Sequence, residues 1–137
     1  MTITFKYKIV KRPNGTEART PSIPVSLKGK ESIDVVTLLD SGADVSVIPK
    51  SFAEIIGLDL DGNKSHAEGI GGKVETIDSK MYINIKKGHE NYTFQIPVKV
   101  IPDDHTPIIL GREGFFNKFI ISFDQYELKV SLKRNNK

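Results

Sequence analysis

Leu38-Leu39-Asp40-Ser41-Gly42-Ala43-Asp44 is the stretch on which the reading of this chain turns. The apolar run Val35-Val36-Thr37-Leu38-Leu39 leads directly into a carboxylate and a tight Ser-Gly turn, and Val45, Val47 and Ile48 resume the apolar pattern behind it. Asp40 is thereby expected at the end of a buried strand, where an ionised carboxylate among aliphatic side chains is costly unless something compensates it. Two carboxylates that share one proton are such a compensation, and the arrangement activates a water molecule. The motif occurs once in 137 residues. If this chemistry is present, two chains must build the site. The competing reading is a solvated Asx turn, which Asp-Ser-Gly alone would favour; the aliphatic flanks on both sides argue for the buried carboxylate.

Composition narrows the alternatives. The chain is 38% hydrophobic and 27% charged, which suits a globular core and not a disordered segment. Its length predicts one domain over 1–137, with an N-terminal strand extension at 1–30, a closing hairpin at 119–132 and a basic tail at 133–137. No apolar run is long enough for a membrane-spanning helix, and the N-terminus lacks a signal-peptide layout. With no cysteine, disulfides and thiolate metal sites are excluded, which fits a cytoplasmic location. The net charge of +3 gathers at the ends, in Lys6, Lys8, Lys11, Arg12, Lys133, Arg134 and Lys137. Solvated chain ends account for it better than a nucleic-acid footprint.

The pattern along the chain is mostly strand. Ile3, Phe5, Tyr7 and Ile9 alternate with polar residues as one half-buried strand, and Pro13-Asn14-Gly15 makes a turn. An extended piece through Ile23, Val25 and Leu27 carries Pro21 and Pro24, which predict an edge position, and Lys28-Gly29-Lys30 turns into the strand that bears Asp40. Pro49 suits the first position of a short helix with Phe52, Ile55 and Ile56 on one face and Gly57 as its stop. The glycine-rich Gly69-Ile70-Gly71-Gly72 reads as a hairpin tip between strands that include Val74, Ile77, Met81, Ile83 and Ile85. Gly88 turns into the strand Tyr92 to Val100, and Pro102-Asp103-Asp104 turns into the buried strand Ile108-Ile109-Leu110, which ends at Gly111-Arg112. A helical turn over 113–118 precedes the closing hairpin.

Three pieces are expected to converge: the Asp40 turn, the glycine loop 69–72 and the segment 109–112. The glycine loop is a poor phosphate cradle, since no Gly-Lys-Ser/Thr ending follows and strands flank it. Arg112, at the end of an apolar strand, is expected to form a buried fork with Asp44. Gly42 leaves room for a substrate backbone beside the carboxylate, Ser41 offers a hydroxyl, and the tip at Ile70 would close over a bound peptide.

Leu38-Leu39-Asp40-Ser41-Gly42-Ala43-Asp44 resembles the active-site turn of the retropepsins, the retroviral-type aspartic proteases. Gly69-Ile70-Gly71-Gly72 is similar to their flap tip, and Ile108-Ile109-Leu110-Gly111-Arg112 to the strand-Gly-Arg element beneath their active site. The resemblance covers about residues 33 to 123, with the three motifs in the family's order. It implies a mostly β, closed acid-protease barrel with one short helix late in the chain, a flap hairpin, and an active site on a homodimer two-fold axis. It further implies Asp40 as the catalytic residue, Ser41 in an inter-subunit hydrogen-bond lattice, Gly42 and Asp44 as substrate-backbone contacts with Ala43 between them, and Arg112 as the partner of Asp44. Ser41 stands where the family more often has threonine. Gly69, Ile70, Gly71 and Gly72 would contact substrate, and Ile108 and Leu110 would line the cleft. The hairpin after residue 119 is longer than in compact viral enzymes and looks more like the closing strands of cellular relatives, so a cellular or microbial single-domain member is expected.

The implied function is an aspartic endopeptidase, needing no cofactor and no metal, whose partners are a second copy of itself and a polypeptide substrate. The alternative is a non-catalytic module that keeps the fold and binds extended peptide in the cleft; an intact Asp-Ser-Gly turn and flap favour the enzyme. Neither nucleic acid nor membrane is an expected partner. A basic β-barrel that binds nucleic acid would interleave aromatics with cations, and only Phe5-Lys6-Tyr7-Lys8 does so. His66, His89 and His105 are far apart, and Asp103-Asp104-His105 reads as a turn, not a metal site. Phe115 and Phe116 read as core, and Tyr82 and Tyr92 as a cross-strand pair.

Overall fold

The computed structural model describes residues 2–69 and 72–135. Its strands are β1 (Thr2–Lys6), β2 (Lys8–Lys11), β3 (Glu17–Thr20), β4 (Ser22–Lys28), β5 (Ser32–Leu39), β6 (Ser46–Pro49), β7 (Lys64–Gly69), β8 (Gly72–Lys87), β9 (Glu90–Ile101), β10 (Ile109–Leu110), β11 (Phe119–Asp124) and β12 (Lys129–Arg134). The one α-helix among the described residues, α1, spans Lys50–Ile55, and a single 3-10 turn spans Phe116–Lys118.

Seven strands form one sheet in the order β4-β5-β10-β6-β9-β8-β7, and a further pairing of β4 with β8 closes it on itself. That closing contact sets Ser26, Leu27 and Lys28 against Asn84, Ile83 and Tyr82. The expected closed, mostly β barrel is therefore present, and closure leaves few free edges. β8 is long enough to serve both barrel and flap: Ile77 to Lys87 pairs with β9, while Gly72 to Ile77 pairs with β7. The β8–β9 hairpin turns on Gly88 (φ +62) and His89, a two-residue loop with glycine first, as a II′-type turn requires.

Outside the barrel, β1, β12 and β11 make a three-stranded antiparallel sheet, and β2 and β3 make a separate hairpin. The N-terminal strand thus joins an outer sheet, and the closing hairpin forms as read. The alternation from Ile3 to Ile9 does not mark one strand. Ile3, Phe5 and Tyr7 are buried, but the chain leaves β12 after the Tyr7 N–H bonds the Leu128 carbonyl at 2.8 Å, and Ile9 is 55% exposed. The boundaries also shift. β4 lies within 1–30 yet belongs to the barrel, and its first half alone is an edge, since Ser26 to Lys28 has strands on both sides. Lys133 and Arg134 extend β12 and are not tail.

Both helical readings need correction for local reasons. Pro49 is the cap of α1 in an extended conformation (φ −61°, ψ 145°), not its first residue. Ile56 and Ala53 face the core while Ile55 is 58% exposed, because six residues are too short for a wide apolar face. Gly57, at φ +69°, ends the helix as expected. The late helix shrinks to one 3-10 turn, because Gly114 sits at φ +84°, outside helical space.

The core beneath these sheets is aliphatic, with one aromatic cluster. Phe115, wholly buried, lies 6.1 Å from Phe94, 6.0 Å from Phe116 and 5.4 Å from Phe119, centroid to centroid. Tyr92 packs edge-on against Phe119 at 5.6 Å and faces Ile85 across the strands; Tyr82 faces Gln95, so the two tyrosines do not pair. Phe115→Ala should cost about 3–5 kcal/mol in urea unfolding, since this cluster joins barrel and outer sheet and cannot collapse around the void.

Candidate active site

The Asp40 turn is held by strands crossing from both sides. β10 runs parallel to β5, with Ile109 beside Leu38 and Leu110 beside Leu39, and antiparallel to β6, with Ile109 beside Val47. A short strand inserted between the chain segments before and after a turn fixes that turn by main-chain bonds alone. The Leu38 N–H bonds the Ile108 carbonyl at 2.9 Å, and the Asp40 N–H bonds the Leu110 carbonyl at 3.1 Å. On the far side, the Arg112 N–H bonds the Ala43 carbonyl at 2.9 Å and the Glu113 N–H the Asp44 carbonyl at 2.8 Å. The turn closes through the Ala43 N–H to the Asp40 carbonyl at 3.2 Å.

Asp40 itself is half-buried, and its Oδ1 accepts the Gly42 N–H at 2.9 Å. Buried strand end and Asx turn are competing readings in the sequence; the residue combines them. Leu39 below it is 3% exposed, while Ser41, Gly42 and Asp44 are exposed and Ala43 is half-buried. The carboxylate therefore stands at the rim of the core with one oxygen already oriented by the backbone and the turn beside it open.

Gly111 is the tightest point. A Cβ there would lie 2.6 Å from the Val45 carbonyl carbon, 2.7 Å from its oxygen and 3.0 Å from the Ala43 oxygen. Its N–H donates to the buried Ser46 Oγ at 3.0 Å. Ser46 is not among the site residues expected from the sequence. The available signal was a lone hydroxyl in the apolar run Val45-Ser46-Val47-Ile48, since a wholly buried polar side chain needs a partner.

Two expectations fail here. Arg112 and Asp44 are both exposed, and among the described residues no ion pair joins them; their segments meet through the backbone, so the buried fork is absent from the single chain. The guanidinium points outward because residues 112–115 form a turn that leaves the apolar strand at Gly111. Ile108 and Leu110 do not line an open cleft, being 4% and 0% exposed in the core. Strand alternation sends the half-exposed Ile109 to the other side.

The flap strands β7 and β8 pair in continuous register from Lys64 with Ile77 to Gly69 with Gly72. Gly72, at φ +102° and with no atom within 4 Å of where a Cβ would lie, meets the expected need for glycine through its backbone angle. Ile70 and Gly71 lie outside the described residues. At the base of the hairpin, a groove of about 750 Å³ opens between Val45 and Glu113 on one wall and Asp78, Ser79, Pro97 and Lys99 on the other. Lys99 Nζ lies 3.4 Å from Asp78 Oδ1, and Ser65 Oγ joins both, accepting from Lys99 at 2.7 Å and donating to Asp78 at 3.0 Å.

The approach to β10 is held by Asp103, whose carboxylate accepts the His105 N–H at 2.8 Å and the Thr106 hydroxyl at 3.1 Å. The turn reading of 103–105 is correct, and the described residues contain no metal-ligating cluster. The backbone bond from His105, then the Thr106 hydroxyl, holds the Asp103 carboxyl below its ordinary value of 3.8. A depressed carboxyl stabilises the fold above its unfolded value and loses that contribution as pH falls through the folded one. NMR titration should find Asp103 protonating below that ordinary value, with the His105 amide resonance moving in step.

A family model described as aspartyl protease matches residues 23–113, from β4 to the turn after β10. The chain belongs to the retropepsin-like aspartyl protease family. Among solved structures, this retropepsin-like chain is similar to a retropepsin-like aspartic protease from Rickettsia conorii, at 15% identity and a TM-score of 0.60 over 96% of this chain and 98% of that one. At that identity the likeness concerns the fold, and it extends to the outer sheet. The EIAV protease complexed with an inhibitor matches at 28% identity and a TM-score of 0.47, over 69% of this chain and 83% of that one. The retroviral protease-like domain of Ddi1 from Leishmania major matches at 18% identity and 0.48, over 87% and 99%. No curated protein matches. Among the described residues no helix is long and apolar enough to cross a membrane.

Proposed function

We propose that the retropepsin-like chain is an aspartic endopeptidase in which the whole of 1–137 acts as one protease domain, two copies supplying one Asp40 each to a shared site. The observation that carries this reading is the position of Asp40: at the rim of the core, oriented by the Gly42 N–H, in a turn that β10 fastens from both sides. A surface Asx turn has no need of that fastening. Two such carboxylates across a two-fold axis cannot both ionise cheaply, so one proton is held between them.

The ionised member takes a proton from a water lying between them, and the oxygen of that water bonds to the peptide carbonyl carbon. The protonated member hydrogen-bonds the forming oxyanion and then passes its proton to the leaving nitrogen, so the C–N bond breaks to a new carboxyl group and a new amine. Ser41 would tie the two turns together, and Gly42, Ala43 and Asp44 would lie along the peptide backbone. Gly69 to Gly72 would close over it, while Arg112 would meet Asp44 only once a partner or substrate covers both. Ile109 replaces Ile108 and Leu110 as the cleft-lining side chain. The lack of cysteine suits a reducing compartment, and we place the activity in the cytoplasm.

The test is cleavage of a peptide library from acidic to neutral pH by the chain and by Asp40→Asn. Asparagine keeps the shape and can still accept from Gly42, but cannot share a proton as a carboxylate does. Cleavage should vanish while the dimer persists; equal cleavage by the variant would refute the reading. Binding of the same peptides without cleavage by the unaltered chain would favour the peptide-binding module.

A further inference from the structure

The hairpin of β2 and β3 stands apart from both larger sheets and takes no part in the proposed chemistry. It also lies outside residues 23–113, the stretch that the family model matches. Residues 7–20 carry Lys8, Lys11, Arg12 and Arg19 against the single acid Glu17, a net charge of +3. That equals the net charge of the whole chain, so the rest of the molecule balances to zero. Lys11, Arg12 and Arg19 are exposed, and so are the aliphatic Ile9 and Val10 between them. A two-stranded hairpin alone is marginally stable, yet the turn of this one is well made. Asn14 Oδ1 accepts the Thr16 N–H at 3.1 Å and the Thr16 hydroxyl at 2.6 Å, and the Gly15 N–H bonds the Arg12 carbonyl at 3.0 Å.

The outer side of β2 is open, and the ladder fixes which groups face it. The Arg12 N–H bonds the Thr16 carbonyl at 2.7 Å, so Arg12, Val10 and Lys8 form the set that pairs with β3. Ile9 and Lys11 therefore direct their N–H and C=O groups away from it. Tyr7 directs its N–H the same way and bonds the Leu128 carbonyl at 2.8 Å. There β12 gives out, since the chain turns at Leu128 (φ +57°), and the side that β12 fills along β1 is vacant along β2. Three occupants fit that vacancy poorly. A second copy would set +3 against +3. A membrane needs one apolar face, and Ile9 and Val10, being consecutive in a strand, lie on opposite faces. Nucleic acid cannot complete an amide ladder, and residues 8–20 hold no aromatic ring on which a base could stack. An extended polypeptide completes the ladder, and acidic side chains on it meet the four cations.

We propose that the free edge of β2 is a docking strand for an acidic polypeptide segment, which binds in extended form and makes the hairpin a three-stranded sheet. Main-chain bonds to Ile9 and Lys11 supply the pairing, and charge selects the sequence. A carboxylate opposite Lys11 in the added strand stands on the face that also bears Arg19, while its neighbours in sequence meet Lys8 and Arg12 on the other face. The cations that keep neutral strands and like copies off this edge are the ones that admit an acidic strand. No residue of the Asp40 turn belongs to the edge, so docking stands whether or not the chain cleaves peptide.

The test is titration of the full chain carrying Asp40→Asn, so that the probe survives, with a peptide in which glutamate alternates with threonine. The Ile9 and Lys11 amide resonances should move most in NMR, and binding should weaken as salt is raised. Arg12→Glu together with Arg19→Glu reverses the sign of the hairpin's charge and leaves Lys11 opposite Glu17. The dissociation constant should then rise at least about tenfold while the melting temperature stays as before. Ile9→Pro removes an outward N–H and no bond to β3, and should weaken binding by a similar factor. A peptide of the same glutamates alternating with proline carries equal charge but cannot complete the ladder, and should also bind at least about tenfold more weakly. Equal binding of the proline peptide, or unchanged binding by the charge-reversed chain or by Ile9→Pro, overturns the proposal. Tighter binding of a single-stranded oligothymidylate of equal charge overturns it in favour of nucleic acid, and resonance shifts confined to the Asp40 turn overturn it in favour of the cleft. An unaltered chain that docks the acidic peptide at β2 but cleaves no peptide keeps the edge and rejects the protease; one that cleaves through Asp40 and leaves the hairpin empty does the reverse.

Discussion

Gly111→Ala should lose about 3 kcal/mol or more in urea unfolding, enough to leave much of a marginally stable chain unfolded. The cause is space and not backbone freedom, because the new methyl would sit 2.6 Å from the Val45 carbonyl carbon and 2.7 Å from its oxygen. Those are main-chain atoms of the segment entering β6, held on its other side by β9, so they cannot swing away as a long side chain would. Any shift that admits the methyl also strains the Gly111 N–H bond to Ser46 Oγ and the Arg112 N–H bond to the Ala43 carbonyl. Cleavage per folded molecule should therefore fall as well, since the displaced atoms belong to the Asp40 turn. A stability within about 0.5 kcal/mol of the parent, the range of ordinary surface changes, would show that the crossing of β10 is loose.

Mixing the chain with Asp40→Asn should reveal whether two chains share one site. Each variant subunit can still pair, so equal amounts of exchanging subunits distribute at random between parent, mixed and variant dimers. A mixed dimer has a single carboxyl group, which serves as base or as acid but not as both within one step. Activity should then fall to about one quarter of the value for the same total protein, against about one half if each chain works alone. Asp40→Asn by itself should retain less than about one part in a thousand of the cleavage rate, since both the base and the proton donor are lost. An activity of one half in the mixture would place a complete site within one chain.

How far the residues by themselves led is clearest at the Asp40 turn. An aliphatic run into Asp-Ser-Gly, a glycine-rich hairpin tip and an apolar strand ending in Gly-Arg are local patterns, and their physical demands are local too: burial, positive φ, close approach. The hairpin turns at Gly15, Gly88 and 28–30 were readable for the same reason, as each depends on a few adjacent residues. Errors entered where a distant neighbour decides. Ile9 alternates correctly but has no sheet to cover it, and Ile55 fits a helical stripe on a helix too short to use it.

Parity of the cleft shows the same division. Ile108, Ile109 and Leu110 look equivalent as a run, and only the placement of β10 between β5 and β6 turns Leu110 into the core and leaves Ile109 half-exposed. Ser46 became part of the site's support because Gly111, sixty-five residues later, brings its N–H to that hydroxyl. Arg112 and Asp44 matched a charge pattern, yet the turn beginning at 112 carries the guanidinium away.

The chain's own residues determined its class, its motif order and the carboxylate around which the chemistry is proposed, because apolar periodicity, turn chemistry and the cost of a buried charge act within a few residues. Tertiary structure alone decided the barrel closure through β4 and β8, the crossing that fastens the Asp40 turn, and the separate outer sheet of β1, β12 and β11. Those depend on which strands become neighbours, and hydrogen bonds between strands far apart in the chain leave no periodic trace in either one.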